Sequence, residues 1–213
     1  MNRPKLYFVF IFMWISLLML GGCGGLLDPG APPSVYQLSP ELPAKESGQS
    51  LNLQLAVVKP SATEMLSTNR VVTRFANGEV KAWKGVSWSA PAPVMMQRFM
   101  IQAYEDIGLF TAMSYDTMGY NADYRLISDL REFTVVLDEA NKPDYAVVLL
   151  SVHLIDLDGG RSLGSLSSKR QVKIEGPGFG GVLAAFNSAT AGCVREICGW
   201  SVGLLKNISA RHK

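Results

Sequence analysis

The chain begins with a long apolar stretch that a single helix is not expected to span. Leu6–Leu27 contains 22 residues and no charge, and a membrane-spanning helix needs ~20 apolar residues. Four glycines, however, crowd around Cys23 within Gly21–Gly25. Because each glycine inside a helix costs roughly 1 kcal/mol relative to alanine, we expect the helix to end before Cys23. The stretch is then a leader rather than an uninterrupted span.

The residues at this break resemble a bacterial lipobox, the site where a lipoprotein precursor is cleaved and acylated. Arg3 and Lys5 form a basic start before the apolar run, as in a secretory signal peptide. We expect diacylglyceryl and N-acyl groups on Cys23, since its thiol can be acylated. The positions expected to be recognised by the signal peptidase are Leu20, Gly21 and Gly22. The alternative is an uncleaved anchor with an incidental cysteine.

This pattern divides the chain into three expected segments. Residues 1–22 form a signal peptide, residues 23–50 a lipid anchor with a Pro/Gly-rich tether, and residues 51–213 a periplasmic domain. Within the tether, residues 24–34 reach at most ~35 Å when fully extended. Gly24 stands where an aspartate, in many Gram-negative lipoproteins, signals inner-membrane retention. The resemblance therefore implies an outer-membrane protein that faces the periplasm.

Charge argues against nucleic acid as a partner. The leader carries two of the 20 basic residues and none of the 18 acidic ones, so cleavage leaves 18 of each and no net charge. The basic residues form no run and do not interleave with aromatic residues. Binding to a phosphate backbone depends on such clustered positive charge. No second apolar run approaches the length of a membrane span.

Alternating apolar residues and a turn signal predict strands in the first part of the domain. A short strand is expected at Val35–Leu38, and a half-buried one at Leu51–Val57. Asn77-Gly78 predicts a two-residue hairpin turn between residues 71–76 and 79–84. The pairs expected across that turn are Phe75 with Val80 and Val72 with Trp83.

The second part is richer in strands. Tyr124–Leu137 is a long extended run. Its alternating apolar residues change from even to odd positions between Leu130 and Phe133, which predicts a bulge near Arg131-Glu132. Tyr145–Ile155 is apolar on both faces and is expected to be a central strand. A turn at Asp158–Gly160 leads to Leu163–Ile174, whose serines and lysines suit a sheet edge.

Helical spacing predicts two helices. The first follows the prolines after Trp88 and stops at Gly108; its apolar positions are Met96, Phe99, Met100, Ala103 and Ile107. The second runs from about Phe179 to Leu205; its expected stripe is Val182, Phe186, Ala189, Cys193, Ile197, Trp200 and Leu204. The order of elements predicts an α+β two-layer sandwich, with a mixed, mostly antiparallel sheet and both helices on one face.

Two features of the sequence bear on reactive or ligand-binding sites. Gly176–Gly181 satisfies the dinucleotide-binding pattern G-x-G-x-x-G, but no strand follows the helix that it opens. We therefore interpret it as a connection and a helix start. His153 is interpreted as a structural residue of its strand, and we expect no metal site, no cofactor and no catalysis.

The cysteines in the second helix are expected to be free thiols. Cys193 and Cys198 lie five residues apart, so an ideal helix separates their Cα atoms by ~8–9 Å and ~140°, beyond the reach of a disulfide. A broken helix or pairing between chains would be the alternatives. We expect Cys193 to be buried and Cys198 to be turned away from it, so that an alkylating agent modifies Cys198 first if either thiol reacts.

Several segments together resemble the ABC-type transport auxiliary lipoprotein family. The segments that carry this resemblance are Tyr36-Gln37-Leu38, the Leu51 strand, Trp88 with its following prolines, Asp129–Phe133, Tyr145–Asp156 and Glu196–Trp200. The resemblance implies a fold like the amino-terminal domain of the Tol-system protein TolB. Its implied partners are MCE-domain proteins that bridge the periplasm and their ABC permease and ATPase.

The function implied by this resemblance is a non-catalytic docking component of a lipid transport system that maintains membrane integrity. A structural or assembly lipoprotein, such as a chaperone of an outer-membrane machine, is the alternative. Self-association into a homo-oligomer is left open by the sequence.

Overall fold

The computed structural model describes residues 32–43, 51–115 and 122–211. The chain from Pro33 onward forms one compact unit. In the described ranges its strands are β1 (Ser34–Tyr36), β2 (Gln54–Val57), β3 (Ser61–Ala62), β4 (Arg70–Arg74), β5 (Val80–Trp88), β6 (Ala112–Ser114), β7 (Tyr124–Leu137), β8 (Pro143–Asp156) and β9 (Arg161–Lys173). Its helices are α1 (Ala92–Ile107) and α2 (Gly178–Arg211). The expected signal peptide and lipidation site lie outside the described residues.

Strand β7 organises the sheet. Along one edge it pairs antiparallel with β8 from Tyr124 to Leu137. Its other edge is shared in succession by β2, β3 and β4, all of them parallel to it. Strands β5 and β1 extend the sheet beyond β4, and β6 extends it beyond β2. The long β7–β8–β9 meander therefore supplies most of the antiparallel pairing, while shorter strands join in parallel.

The predicted bulge lies where the parity of β7 changes. Leu130 pairs with Leu150 and Glu132 pairs with Leu149, so Arg131 is the extra residue. The bulge keeps Leu130 and Phe133 on the same buried face, which strict alternation could not do across an odd spacing. This confirms the sequence interpretation.

The hairpin after β4 differs from the prediction by one register position. Arg74 pairs with Val80 and Val72 pairs with Ala82, rather than Phe75 with Val80 and Val72 with Trp83. The Gly78 N–H donates to the Phe75 carbonyl, and Gly78 has a φ of 87°. The loop therefore has three residues, a turn followed by a left-handed glycine, which is the next most common hairpin type. Because side chains alternate between faces, Trp83 lies on the opposite face from Val72.

Strands β8 and β9 confirm the expected second half. Strand β8 lies between β7 and β9, and its Val148, Leu150 and Val152 are fully buried. Strand β9 pairs only with β8 and forms an edge within the described part of the sheet. In the first half, β1 confirms the short strand, whereas β2 begins only at Gln54 because Asn52 has a left-handed φ of 53°.

Both helices cover one face of the sheet, as expected for the two-layer sandwich. Helix α1 follows Pro91 and ends at Gly108, whose φ of 71° is the left-handed C-terminal conformation. Helix α2 packs on β8 and β9 and contacts α1, which packs on β2 and β6. It extends six residues past the predicted end, to Arg211. Trp200 and Leu204 of the expected stripe are only half-buried, whereas its other members are buried.

A cluster of aromatic rings joins α2 to the sheet. Trp88, 1% exposed, ends β5 and has its ring centroid 5.2 Å from Phe186 and 5.6 Å from Phe179. Phe133 of β7 stacks on Phe186 at 4.6 Å. Such pairs contribute about 0.5–1.5 kcal/mol each beyond the burial of their surface. The aromatic cluster therefore fixes the start of α2 over strands β5 and β7.

The glycine-rich segment before α2 is a close turn. Gly176 and Gly178 have φ values of 81° and 71°, which favour glycine. At Gly181, a Cβ atom would lie 2.1 Å from the backbone oxygen of Glu175. The absence of a side chain there lets the first turn of α2 lie against the end of the preceding loop.

We predict that Gly181→Ala destabilises the domain by about 1–3 kcal/mol, the usual penalty for forcing extra atoms into a packed site. The contact atom belongs to the backbone and cannot rotate away. Gly180→Ala is the matched control, because a Cβ atom at Gly180 meets nothing within 4 Å, and its free energy of unfolding should be unchanged or raised by up to about 1 kcal/mol. Urea unfolding followed by circular dichroism measures both; equal stability of the two variants would contradict the close approach.

Candidate functional surfaces

The direction of β1 shows where the chain enters the compact unit. Strand β1 runs parallel to β5, with Ser34 opposite Val86 and Tyr36 opposite Trp88. The residue that precedes Ser34 is therefore directed toward the start of β5, where the β4–β5 hairpin lies. The predicted residues Leu20, Gly21, Gly22 and Cys23 lie outside the described part of the chain. No helix among the described residues is long and apolar enough to cross a membrane.

An open groove of about 360 Å³ lies at the same end of the sheet. Its apolar lining comes from separate elements: Phe75 follows β4, Trp83 belongs to β5, Leu137 ends β7 and Pro143 begins β8. The volume lies within the range of about 300–1,000 Å³ that is common for small-molecule sites. We call this feature the hairpin-end groove.

The aromatic cluster supports one wall of the hairpin-end groove. The rings of Trp83 and Phe179 are nearly perpendicular, with their centroids 5.6 Å apart. Because Phe179 also contacts Trp88, the position of Trp83 depends on the start of α2. The groove is therefore held by packing rather than by a free loop.

Lysines of β5 line the hairpin-end groove. The Lys81 Nζ atom lies 5.1 Å from the centroid of Phe75 and 2.8 Å from Glu79 Oε1. Lys84 is exposed, and no acidic side chain among the described residues lies within ion-pair distance of it. The lining thus combines apolar side chains with two lysines. Lys81 is paired with an acidic side chain, and Lys84 has no acidic partner among the described residues.

The two cysteines of α2 are free and both are buried, Cys193 at 0% and Cys198 at 1% exposure. The burial of Cys193 and the absence of a bond between the two thiols agree with the sequence interpretation. Cys198 lies on another side of the helix from Cys193, as expected, but that side is buried as well, so the structure does not show the exposure that faster alkylation of Cys198 would need. The helix is covered on two sides: Cys193 faces the carbonyls of Val148 and Ser168, while Cys198 lies on the side of α1.

The electrostatics of these thiols disfavour reactivity. Burial raises the pKa of Cys198 to about 12, although a hydrogen bond with Tyr104 opposes the shift. Burial likewise raises the pKa of Cys193 and of the Tyr104 phenol. The thiolate is the nucleophilic form, so both cysteines stay protonated at neutral pH. The Tyr104 hydroxyl pairs with Ser201 Oγ at 2.7 Å and links α1 to α2.

The other candidate residues occupy separate places. His153 is exposed on the face of β8 opposite the helices, and its predicted role as a satisfied structural residue is not supported by any described hydrogen bond. His212 lies outside the described residues. Among the residues that the structure describes, no group of three His, Cys, Asp or Glu side chains could hold a metal ion.

The polar segment around Asp129–Phe133 has a structural role. Asp129 accepts hydrogen bonds from Ser61 and Arg131 at 2.9 and 3.0 Å, which ties β3 to β7. Glu132 pairs with Arg74 at 2.9 Å across the β4–β7 pair. Exposed pairs of this kind contribute at most about 1 kcal/mol each. The segment therefore helps to set strand register on the face away from the helices.

Comparison with known proteins identifies relatives over most of the domain. Residues 36–198 match the family model described as ABC-type transport auxiliary lipoprotein component. A curated relative, the uncharacterized protein bll6063 of Bradyrhizobium diazoefficiens, is 26% identical over 187 residues. That match covers 86% of this chain but 49% of the relative, so the chain spans about half of that protein's length.

Solved structures share the fold. The crystal structure of protein XCC0632 from Xanthomonas campestris, of the family model DUF330, superposes with a TM-score of 0.74 at 24% identity, covering 83% of this chain and 99% of that one. A second crystal structure, of an uncharacterized protein, has a TM-score of 0.59 at 14% identity, covering 86% and 100%. Both support the α+β architecture described above.

The raised thiol pKa predicts a stability loss at high pH. An acid whose pKa is higher in the folded chain than in the unfolded chain stabilises the fold below its unfolded pKa, and that contribution disappears as pH rises toward the folded pKa. For Cys198 this window extends from the ordinary value of 9.0 to about 12. Between pH 8 and pH 10, the wild type should lose about 1–2 kcal/mol more free energy of unfolding than Cys198→Ala.

Urea unfolding at the two pH values measures this difference, and the comparison of slopes cancels any constant cost of the cavity in Cys198→Ala. The pKa of Tyr104 is raised chiefly by burial, which the variant keeps, and to a smaller extent by Cys198, so the contribution of Tyr104 nearly cancels in the comparison. Parallel pH profiles for wild type and variant would contradict the burial of Cys198.

Proposed function

The chain belongs to the family of ABC-type transport auxiliary lipoprotein components, and from this premise we propose that it is a docking component of a lipid transport system. In this proposal the protein is anchored in the outer membrane, faces the periplasm and binds MCE-domain proteins that bridge to an ABC permease and ATPase. It catalyses no reaction. The observation that carries the proposal is the family match over residues 36–198.

The leader supports the membrane location. The apolar run and the Leu20–Cys23 lipobox are those of an acylated precursor, and Gly24 follows the cysteine where an inner-membrane retention signal would place aspartate. Anchoring raises the effective concentration of a binding domain at one membrane. A tether of at most ~35 Å then keeps the domain close to the bilayer surface.

The charge balance of the domain favours recognition of a partner through shape and apolar contacts over recognition through charge. Without the leader, basic and acidic residues are equal in number. The described ion pairs, such as Arg74–Glu132 and Arg170–Glu196, are partly exposed and lie on different surfaces. A partner protein would therefore be recognised through shape and through apolar contacts, which dominate the centres of protein interfaces.

We predict that Cys23 carries the lipid. Metabolic labelling with a tagged fatty acid should mark the wild type and leave Cys23→Ser unlabelled, because the acyl groups require that thiol. Cys198→Ser is the control, since Cys198 is buried and should not alter labelling. Labelling that persists in Cys23→Ser would show that acylation occurs elsewhere.

We also predict that anchoring matters for function beyond folding. In a deletion strain, the wild type should restore envelope integrity and co-purify MCE-domain proteins after crosslinking. A soluble periplasmic form that lacks the acylated cysteine should fold and still bind the partner, but should rescue weakly because its effective concentration at the membrane is lost.

Two results would count against this function. Absence of MCE-domain proteins from crosslinked wild type would remove the docking proposal. Recovery of components of an outer-membrane assembly machine instead would favour the assembly-lipoprotein alternative. Full rescue by the soluble form would show that docking does not need the anchor.

A further inference from the structure

We propose that the hairpin-end groove binds one acyl chain of a membrane phospholipid, with the phosphate of its headgroup beside Lys84. This inference rests on the proposed membrane anchoring, and it adds a lipid-binding site to a protein otherwise proposed to bind protein partners. Binding is non-covalent, so no bond forms or breaks.

The apolar lining favours a hydrocarbon ligand. Phe75 and Trp83 are half-buried while Leu137 and Pro143 complete the lining, so two aromatic rings remain partly in contact with water. Covering apolar surface is favourable in proportion to the area removed from water. The groove is open to solvent rather than enclosed, so a flexible chain can enter it without any rearrangement of the fold.

The charge at the groove favours a phosphate group. Lys81 is already paired with Glu79 at 2.8 Å. Lys84 lines the same groove and is exposed, with no acidic partner among the described residues. Its ammonium group is therefore available to a headgroup phosphate, to which lysine binds as a point charge. An apolar floor beside an available cation matches the two parts of a phospholipid.

The path of the chain favours the bilayer as the source of this lipid. Strand β1 enters the sheet parallel to β5, with Ser34 opposite Val86. Pro33, the residue before β1, is therefore directed toward the hairpin end, the same end that carries the groove. With Cys23 acylated, a tether of at most ~35 Å joins that end of the domain to the membrane. A lipid of the bilayer is then within reach of the domain that carries the groove.

Tryptophan fluorescence can locate an acyl chain in the groove. The mature protein that begins at the acylated Cys23, and so lacks Trp14 of the leader, is reconstituted into vesicles of phosphatidylglycerol and phosphatidylcholine. The vesicles carry bromine on the acyl chains or lack it, because bromine quenches tryptophan only at short range. Trp83 lines the groove, whereas Trp88 is buried in the aromatic cluster and Trp200 lies on α2. We expect quenching of the wild type by brominated chains and loss of that quenching in Trp83→Phe.

Lysine variants test the headgroup contact. Lys84→Glu should weaken quenching at a given lipid concentration by up to about fivefold, the range of an exposed ion pair. Lys59→Glu is the matched control, because Lys59 is also exposed but lies after β2, away from the groove. Both lysines are on the surface, so neither variant should alter the fold, and circular dichroism verifies this.

The outcomes separate this inference from the proposed function. Equal quenching in wild type and Trp83→Phe would place the lipid contact elsewhere and overturn the groove assignment. No quenching of the wild type, together with normal co-purification of MCE-domain proteins, would overturn lipid binding while the docking function stands. Equal effects of Lys84→Glu and Lys59→Glu would overturn the placement of the phosphate.

Discussion

The packing of Trp88 against Phe133, Phe179 and Phe186 is the interaction on which the structure depends. These rings come from the end of β5, the middle of β7 and the first turns of α2. They bring together parts of the chain that are about 90 positions apart in sequence. Because Phe179 also supports Trp83, the same packing shapes the hairpin-end groove. Core and surface are therefore coupled at this end of the domain.

The coverage of α2 on two sides explains why its thiols stay protonated at neutral pH. The sheet covers Cys193, and α1 contributes Tyr104 next to Cys198 and Ser201. The small residues of this helix, such as Ala189 and Ala185, are buried as well. Close approach of neighbouring elements follows from those small side chains, and it excludes the water that would stabilise a thiolate.

The sequence predicted those structural features that depend only on residues close together in the chain. The parity change near Arg131 predicted the bulge, and Gly108 predicted the end of α1. The hairpin register could not be predicted, because Asn77-Gly78 is compatible with loops of two or three residues and the choice depends on how β4 pairs with β7. The burial of Cys198 was missed for a similar reason, since helical spacing does not reveal that a second helix covers that side.

The hairpin-end groove could not be predicted either. Phe75, Trp83 and Leu137 become neighbours only through strand pairing, and the one-residue error in the hairpin would have placed Trp83 on the same face as Val72. The predicted lipobox, by contrast, is a contiguous motif, and such a motif can be proposed without any knowledge of the fold. The functional prediction from the sequence therefore comes from the predicted leader and the family resemblance. The fold adds the hairpin-end groove.

The central claim of the proposed function is that the domain works by binding a partner of the transport system at the membrane. The most direct measurement is photocrosslinking in cells that express the wild-type partner set, with a photoreactive residue placed at each of four exposed apolar positions, Val35, Val80, Val94 and Ile127. The account predicts that an MCE-domain protein is captured from at least one of these positions and that capture differs between them, as expected for a defined interface. Capture of no MCE-domain protein from any position, or capture only of an outer-membrane assembly machine, would contradict it.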